Sequence, residues 1–206
     1  MLTAIDPSQF IPTTVAVTLE NVDPRDGNMP PGDLALICRM VAHLRPRTLF
    51  EFGTFLGATT YNMARYAPPD AVMYTLDLPP ATRQTALPLD PREWLYVEKP
   101  EVGIVYRKTP EAGKIIQLFG DSALNDFSRF AGLMDFILID ASHAYENCLS
   151  DSLRALTMRS PRGVIAWHDY SVWTGVTAAL DDLQRSSERF AALRHVRGTG
   201  VAVLLQ

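Results

Sequence analysis

The residues best suited to chemistry fall in two short stretches. Ile139-Asp-Ala-Ser-His143 sets a carboxylate and an imidazole three residues apart, and Trp167-His-Asp169 sets an imidazole beside a carboxylate. Histidine is the default side chain for taking up a proton near neutral pH. Carboxylates with an imidazole are also donors for a divalent cation. Further acids stand beside glycines: Glu51 in Glu51-Phe-Gly53 and Asp121 in Gly120-Asp121, while Asp77 closes the run Val72-Met-Tyr-Thr-Leu76. The turn from Gly53 to Gly57 lacks a dinucleotide fingerprint, because Phe55 and Ala58 stand where its second and third glycines belong. A carboxylate at position 51 is unwelcome beside phosphates and welcome beside a cationic ligand. Phe55 and Glu51 together count against a nicotinamide oxidoreductase.

These residues need elements to hold them. Apolar runs at 48–51, 72–76, 115–119, 136–139 and 164–167 read as strands, and each ends in or beside one of the acids. Phe136-Ile-Leu-Ile139 is wholly apolar, as a strand buried on both faces should be. Helical spacing marks Leu34, Ile37, Val41 and Leu44, with Asp33 as a cap and Pro46 as the stop. Further helices are expected over 59–66, 145–158 and 175–187, and two last strands over 190–196 and 201–205 as an antiparallel hairpin about Gly198-Thr-Gly200. Strands alternating with helices imply a parallel α/β sheet, and such sheets bind ligands outside the carboxyl ends of their strands. Pro24 to Asp26 belong to a turn in a weakly patterned N-terminal stretch. Residues 79–113 carry six prolines and break the rhythm, which suits a functional insert.

Composition narrows the class. The chain has 206 residues with 47% hydrophobic content and a net charge of -4, enough for one domain with a full core over residues 1–206. No basic block points to nucleic acid or an anionic membrane. No apolar run approaches the roughly 20 residues that span a bilayer. Cys38 and Cys148 form neither a disulfide framework nor a zinc pattern, and a cytoplasmic protein without a signal peptide is expected.

Taken together, Phe50-Glu-Phe-Gly-Thr-Phe-Leu-Gly-Ala-Thr-Thr60 resembles the first motif of class I S-adenosylmethionine (SAM)-dependent methyltransferases. The closer resemblance is to a small-molecule O-methyltransferase-like branch, through Tyr74-Thr-Leu-Asp-Leu-Pro79, Gly120-Asp-Ser122, Ile139-Asp-Ala-Ser-His-Ala-Tyr-Glu146 and Gly163-Val-Ile-Ala-Trp-His-Asp-Tyr170. It runs over about residues 45–205. The resemblance implies a Rossmann-like fold with a seven-stranded, mostly parallel sheet of order 3-2-1-4-5-7-6, the seventh strand antiparallel, and helices on both faces. Residues 1–45 would precede it, and 79–113 would serve as a substrate lid.

The resemblance also implies roles. Glu51, Gly53, Thr54 and Gly57 would hold the methionine end of SAM, Asp77 with Leu78 the ribose, and Asp121 and Ser122 the adenine. Asp140, Asp169 and His168 would hold a divalent metal, Mg²⁺ or Mn²⁺, although His168 stands where the branch has a carboxylate. His143 would be the base that takes the acceptor's proton, with Asp140 beside it. The expected reaction is O-methylation of a small hydroxylated metabolite, a sugar or natural product, with no nucleic acid or membrane partner. The N-terminal segment is free to pack on a second subunit as a homodimer. The competing reading is a SAM-binding regulatory or scaffold protein, which would not need Asp140, His143 and Asp169 together. Trp94, Tyr96, Phe55 and Trp173 are candidates for a pocket wall. Arg83, Arg92, Arg107 and Lys108 are candidates for an anionic substrate. His43, His195, Met40 and Met63 read as structural.

Overall fold

The computed structural model describes residues 1–23, 27–82 and 84–205. The expected turn at Pro24–Asp26 and the candidate Arg83 lie outside the described residues. In chain order the elements are β1 (Ala4–Ile5), α1 (Pro31–Leu44), β2 (Thr48–Phe52), α2 (Ala58–Tyr66), β3 (Val72–Asp77), α3 (Trp94–Val97), β4 (Ile115–Phe119), β5 (Met134–Ile139), α4 (Tyr145–Met158), β6 (Arg159–Trp167), α5 (Thr174–Ser186), β7 (Arg194–Val196) and β8 (Ala202–Leu204). Short 3₁₀ turns add to these, at Pro91–Glu93 and Pro110–Lys114 among others.

One sheet runs β1-β7-β8-β6-β5-β2-β3-β4. Leaving β1 aside, this is the expected order, and β8 is antiparallel to both β6 and β7. The sheet has eight strands rather than seven, because Ala4 and Ile5 pair in parallel with His195 and Val196. The expected last strands shorten, since residue 190 falls in a 3₁₀ turn at Glu188–Phe190 and the hairpin pairs only over Arg194–Val196 and Ala202–Leu204. The N-terminal segment packs on its own domain. Leu2 N–H donates to the Tyr170 hydroxyl, Arg65 pairs with Glu20, and Ile11 is buried in the core.

The sheet divides the core in two. On one face Phe50, Phe52, Ile137, Ile139, Ile165 and Trp167 meet the apolar sides of α4 and α5, including Ala155, Met158, Ala179 and Leu180. On the other, Leu49, Phe136, Leu138 and Val164 meet Ile37, Met40 and Val41 of α1 and Met63 of α2. β5 is buried on both sides, which is why its alternation disappears from the sequence. α1 opens with Pro31 at its first position and stops at Arg45, in the left-handed region before Pro46. Asp33 does not cap this helix, which has no side-chain cap hydrogen bond. Its carboxylate points elsewhere, into the site.

Candidate active site

The carboxyl ends of β2, β3, β4, β5 and β6 open into a cavity of about 360 Å³. Gly53 makes the close approach there possible. Its φ is +93°, and a Cβ would lie 1.9 Å from the Asp140 carbonyl oxygen, so the ends of β2 and β5 converge only because the side chain is missing. Gly53, Thr54, Gly57, Asp77, Leu78, Asp121, Ser122, Asp140, His143, His168 and Asp169 all line the cavity.

Glu51 does not. Its side chain is fully buried beneath the turn, where the Thr60 and Thr75 hydroxyls donate to Oε2 and Oε1 has no hydrogen-bond partner among the described residues. A chain of donors explains the orientation: Tyr106 donates to Gln117, Gln117 to Thr54, Thr54 meets Thr75, and Thr75 donates to Glu51. Burial pushes the Glu51 carboxyl up to about 8, against the two threonine hydroxyls and with the charges of Asp140 and Asp77. Glu51, expected at the methionine end, thus lies beneath the turn and outside the cavity lining.

Asp77 sits as expected at the end of β3. Its Oδ2 accepts the Phe55 N–H at 2.6 Å, and its Oδ1 accepts Lys99 Nζ at 2.8 Å in a buried ion pair. Asp121 Oδ1 accepts the Ala123 N–H and its Oδ2 the Ala86 N–H of the insert.

The insert is not a solvated excursion. Asp90-Pro-Arg-Glu93 forms a capping box in which Asp90 accepts the Arg92 N–H and Glu93 accepts the Asp90 N–H. Glu93 is only 3% exposed, and it also accepts the His143 N–H and the Ser142 hydroxyl. His143 Nδ1 lies 2.8 Å from Glu93 Oε1, and His143 Nε2 lies 2.9 Å from Asp169 Oδ2. The Nδ1 contact is off the N–H direction, so it is a charge contact rather than an aligned hydrogen bond. Trp173 stacks on the imidazole at 4.2 Å and 9°, and Arg92 lies over the outer face of Trp173 at 4.1 Å. Burial opposes charge on His143, but Asp169 and Glu93 outweigh it and raise the imidazole to about 9. The two carboxylates thus set His143 apart from a free imidazole.

His168 is 7% exposed and faces three carboxylates. Nδ1 lies 3.1 Å from both Asp140 Oδ1 and Asp169 Oδ2, and Nε2 lies 3.2 Å from Asp33 Oδ2. Burial opposes its charge, but Asp140, Asp169 and Asp33 raise it well above its ordinary value. Asp169 takes a left-handed backbone with φ +66°, which turns its carboxylate between the two imidazoles. Their attraction outweighs its desolvation and holds it well below the usual carboxylate range. Donor atoms of Asp140, His168 and Asp169 lie within 4.8 Å of one another. Four mostly buried carboxylates (Asp33, Glu93, Asp140, Asp169) surround two imidazoles, so the cluster carries surplus negative charge, and its donor set fits a divalent cation.

Among the candidate wall residues, Phe55, Tyr96 and Trp173 line the cavity, and Trp94 does not. Arg107 pairs with Glu101 at the surface and Lys108 is exposed, while His195 Nε2 is held by the Thr199 carbonyl. Sequence reading missed Asp33, Glu93 and Lys99. Only Glu93 carried a local signal, the Asp-x-x-Glu box ahead of Trp94.

Comparison with known proteins agrees with this fold. The structure is similar to the O-methyltransferase TomG of Streptomyces achromogenes in complex with SAM, with TM-score 0.59 and 16% identity over 88% of this chain and 82% of that one. It is similar to PaMTH1, the methyltransferase of Podospora anserina bound to S-adenosylhomocysteine (SAH), with TM-score 0.62 and 13% identity over 89% and 81% of the chains. An O-methyltransferase of Bacillus cereus in complex with SAH gives TM-score 0.57 and 14% identity over 88% and 84%. No curated protein matches the sequence. Among the described residues no helix is long and apolar enough to cross a membrane. The family described as a methyltransferase domain matches residues 50–170, and the chain belongs to it.

Proposed function

We propose that the chain moves the methyl group of SAM to a hydroxyl oxygen of a small molecule, within a single domain whose insert 79–113 is the lid. The observation that carries this reading is the carboxylate–imidazole cluster at the carboxyl ends of β5 and β6, in the same cavity as Gly53, Gly57 and Asp77. When bound, SAM supplies an electrophilic methyl carbon on a sulfonium and leaves as the thioether SAH. Gly53, Thr54 and Gly57 border its methionine end, Asp77 accepts from the ribose hydroxyls, and Leu78, Asp121 and Ser122 border the adenine.

The acceptor hydroxyl must lose a proton as its oxygen bonds to the methyl carbon and the C–S pair returns to sulfur. His143 in its base form takes that proton at Nε2, the nitrogen that faces Asp169 Oδ2, with Glu93 behind Nδ1 as the group that orients the ring. Asp140, His168 and Asp169 are the residues that would hold a divalent cation, which supplies Lewis acidity to the acceptor oxygen when bound. The imidazole in the set favours Mn²⁺, Fe²⁺ or Zn²⁺ over Mg²⁺. Phe55, Tyr96 and Trp173 give the acceptor an apolar wall.

The test is calorimetry with SAM and SAH, followed by transfer of label from methyl-labelled SAM to a panel of sugars, phenols and hydroxylated natural products. Micromolar binding, on the order of 8 kcal/mol, is expected. Folded protein that gives neither heat nor a thermal shift with either ligand refutes the reading.

A further inference from the structure

We propose that Asp33, at the start of the first helix, is the positioning carboxylate of the cation site: it fixes His168 with the proton on Nε2 and the Nδ1 lone pair turned toward Asp140 and Asp169. This rests on the cation reading above and adds to it a residue 135 positions away in the chain.

The argument starts from hydrogen-bond complementarity. Asp33 Oδ2 accepts the Gly200 N–H at 3.0 Å, so it presents lone pairs and not a proton. The His168 Nε2 facing it at 3.2 Å must then be the donor. Without a cation the carboxylates hold a proton on each ring nitrogen. A divalent cation would take the place of the Nδ1 proton, and the imidazole then carries its one N–H on Nε2, which leaves Nδ1 as the bare nitrogen. Nδ1 points between Asp140 Oδ1 and Asp169 Oδ2, both 3.1 Å away. Those two oxygens and Nδ1 are the three donors that would converge on the cation. An imidazole that ligates a metal commonly gives its other N–H to a carboxylate, which sets tautomer and ring orientation together.

The placement is built rather than incidental. Asp33 is 9% exposed and makes no cap to its own helix. Gly200 lies close against it, since a Cβ there would meet Asp33 Oδ2 in a tight contact at 3.1 Å. The other side of His168 is fixed through its backbone, whose N–H donates to the Ile139 carbonyl at 3.0 Å. The ring is therefore free only to turn about its own side-chain bonds, and Asp33 blocks that turn.

Mn²⁺ is the probe, titrated into the full chain with SAH bound and followed by calorimetry and electron paramagnetic resonance. Asp33→Asn should weaken Mn²⁺ by roughly 10–100-fold and leave SAH affinity unchanged. A merely structural role for Asp33 would move SAH affinity and thermal stability while sparing the cation. Wild-type Mn²⁺ affinity in folded Asp33→Asn overturns the proposal and leaves the cation reading standing. Wild-type protein with no Mn²⁺ affinity, or affinity that survives Asp140→Asn, overturns the cation reading and this proposal with it. If Asp33→Asn does not fold, nitrogen-15 NMR of the Zn²⁺-loaded wild type decides. A protonated Nε2 and bare Nδ1 on His168 support the assignment, and a protonated Nδ1 overturns it.

Discussion

Glutamine in place of Glu51 is the sharpest test of how the glycine turn is built. Burial raises the Glu51 carboxyl to about 8 from an ordinary 4.5. Between those values the folded protein holds one proton that the unfolded chain has released. Stability therefore falls as pH rises, by about 1.4 kcal/mol per pH unit. The contribution is fully present below 4.5 and is lost by about 8. Glu51→Gln has no such proton, and its amide can take the place of the unpartnered Oε1 while its oxygen still accepts from Thr60 and Thr75. Going from about pH 5.5 to about pH 7.5, wild type should lose about 3 kcal/mol relative to Glu51→Gln. Urea unfolding of both proteins at both pH values measures this, and titrations elsewhere cancel in the subtraction. A pH-independent difference would show that Glu51 is ionised in the folded state. SAH affinity should not change, because the side chain lies outside the cavity. A large loss of affinity would return Glu51 to the methionine end of the ligand and refute the buried reading.

Asp77→Ala should weaken SAH by roughly 1–3 kcal/mol, read by calorimetry, because the ribose hydroxyls lose a charged acceptor. Lys99→Met leaves Asp77 buried with only the Phe55 N–H. Its unliganded melting temperature should fall, and SAH should restore more of it than in wild type. Gly53→Ala must place a Cβ 1.9 Å from the Asp140 carbonyl at φ +93°, so soluble protein with an unchanged melting temperature would refute the packing of β2 on β5. His143→Ala should lower turnover by roughly 10²–10⁴-fold and spare SAH affinity. Burial opposes the charge on His143, yet Asp169 and Glu93 raise it to about 9, so its base form grows as pH rises toward that value. In cation-free protein the rate should climb through the same range, and a plateau from near-neutral pH upward would show that Glu93 and Asp169 do not hold the ring as charged neighbours.

The parallel sheet was legible because its chemistry is local. Apolar runs such as Phe136–Ile139 and acids at their ends are properties of consecutive residues, and the order β4-β3-β2-β5-β6-β8-β7 agrees with the methyltransferase resemblance. β1 escaped notice because a strand of two residues has no period to detect. The direction in which Glu51 turns was not legible for a related reason. Sequence puts a carboxylate before the glycine turn, but whether it faces the ligand or Thr60 and Thr75 depends on partners 9 and 24 residues away. The insert read as irregular because its order comes from long-range ties, including Lys99 to Asp77, Asn147 to the Pro88 carbonyl and Gly103 to the Phe55 carbonyl. Asp33 carries the common signature of a helix cap, and nothing near it in sequence reveals that its carboxylate serves His168 instead.

The two histidines differ in what stands behind them, and that difference divides their proposed work. Both turn one nitrogen toward the same atom, Asp169 Oδ2. Behind His168 is Asp33, on a helix sealed into the core by Leu34, Ile37 and Val41, so that imidazole is fixed as part of the domain itself. Behind His143 is Glu93, on the insert, in a box closed by Asp90. A ring oriented by the fold suits a permanent ligand, whose geometry must outlast each turnover. If the insert is the proposed lid, a ring oriented by it would be completed only when the insert is down, which would exclude water just as the proton must leave the acceptor. Opening the insert would withdraw Glu93, leave His143 with Asp169 alone, and leave His168 and Asp33 undisturbed. On that proposal the cation-binding half of the site would stay assembled while the proton-accepting half would be made and unmade with each acceptor.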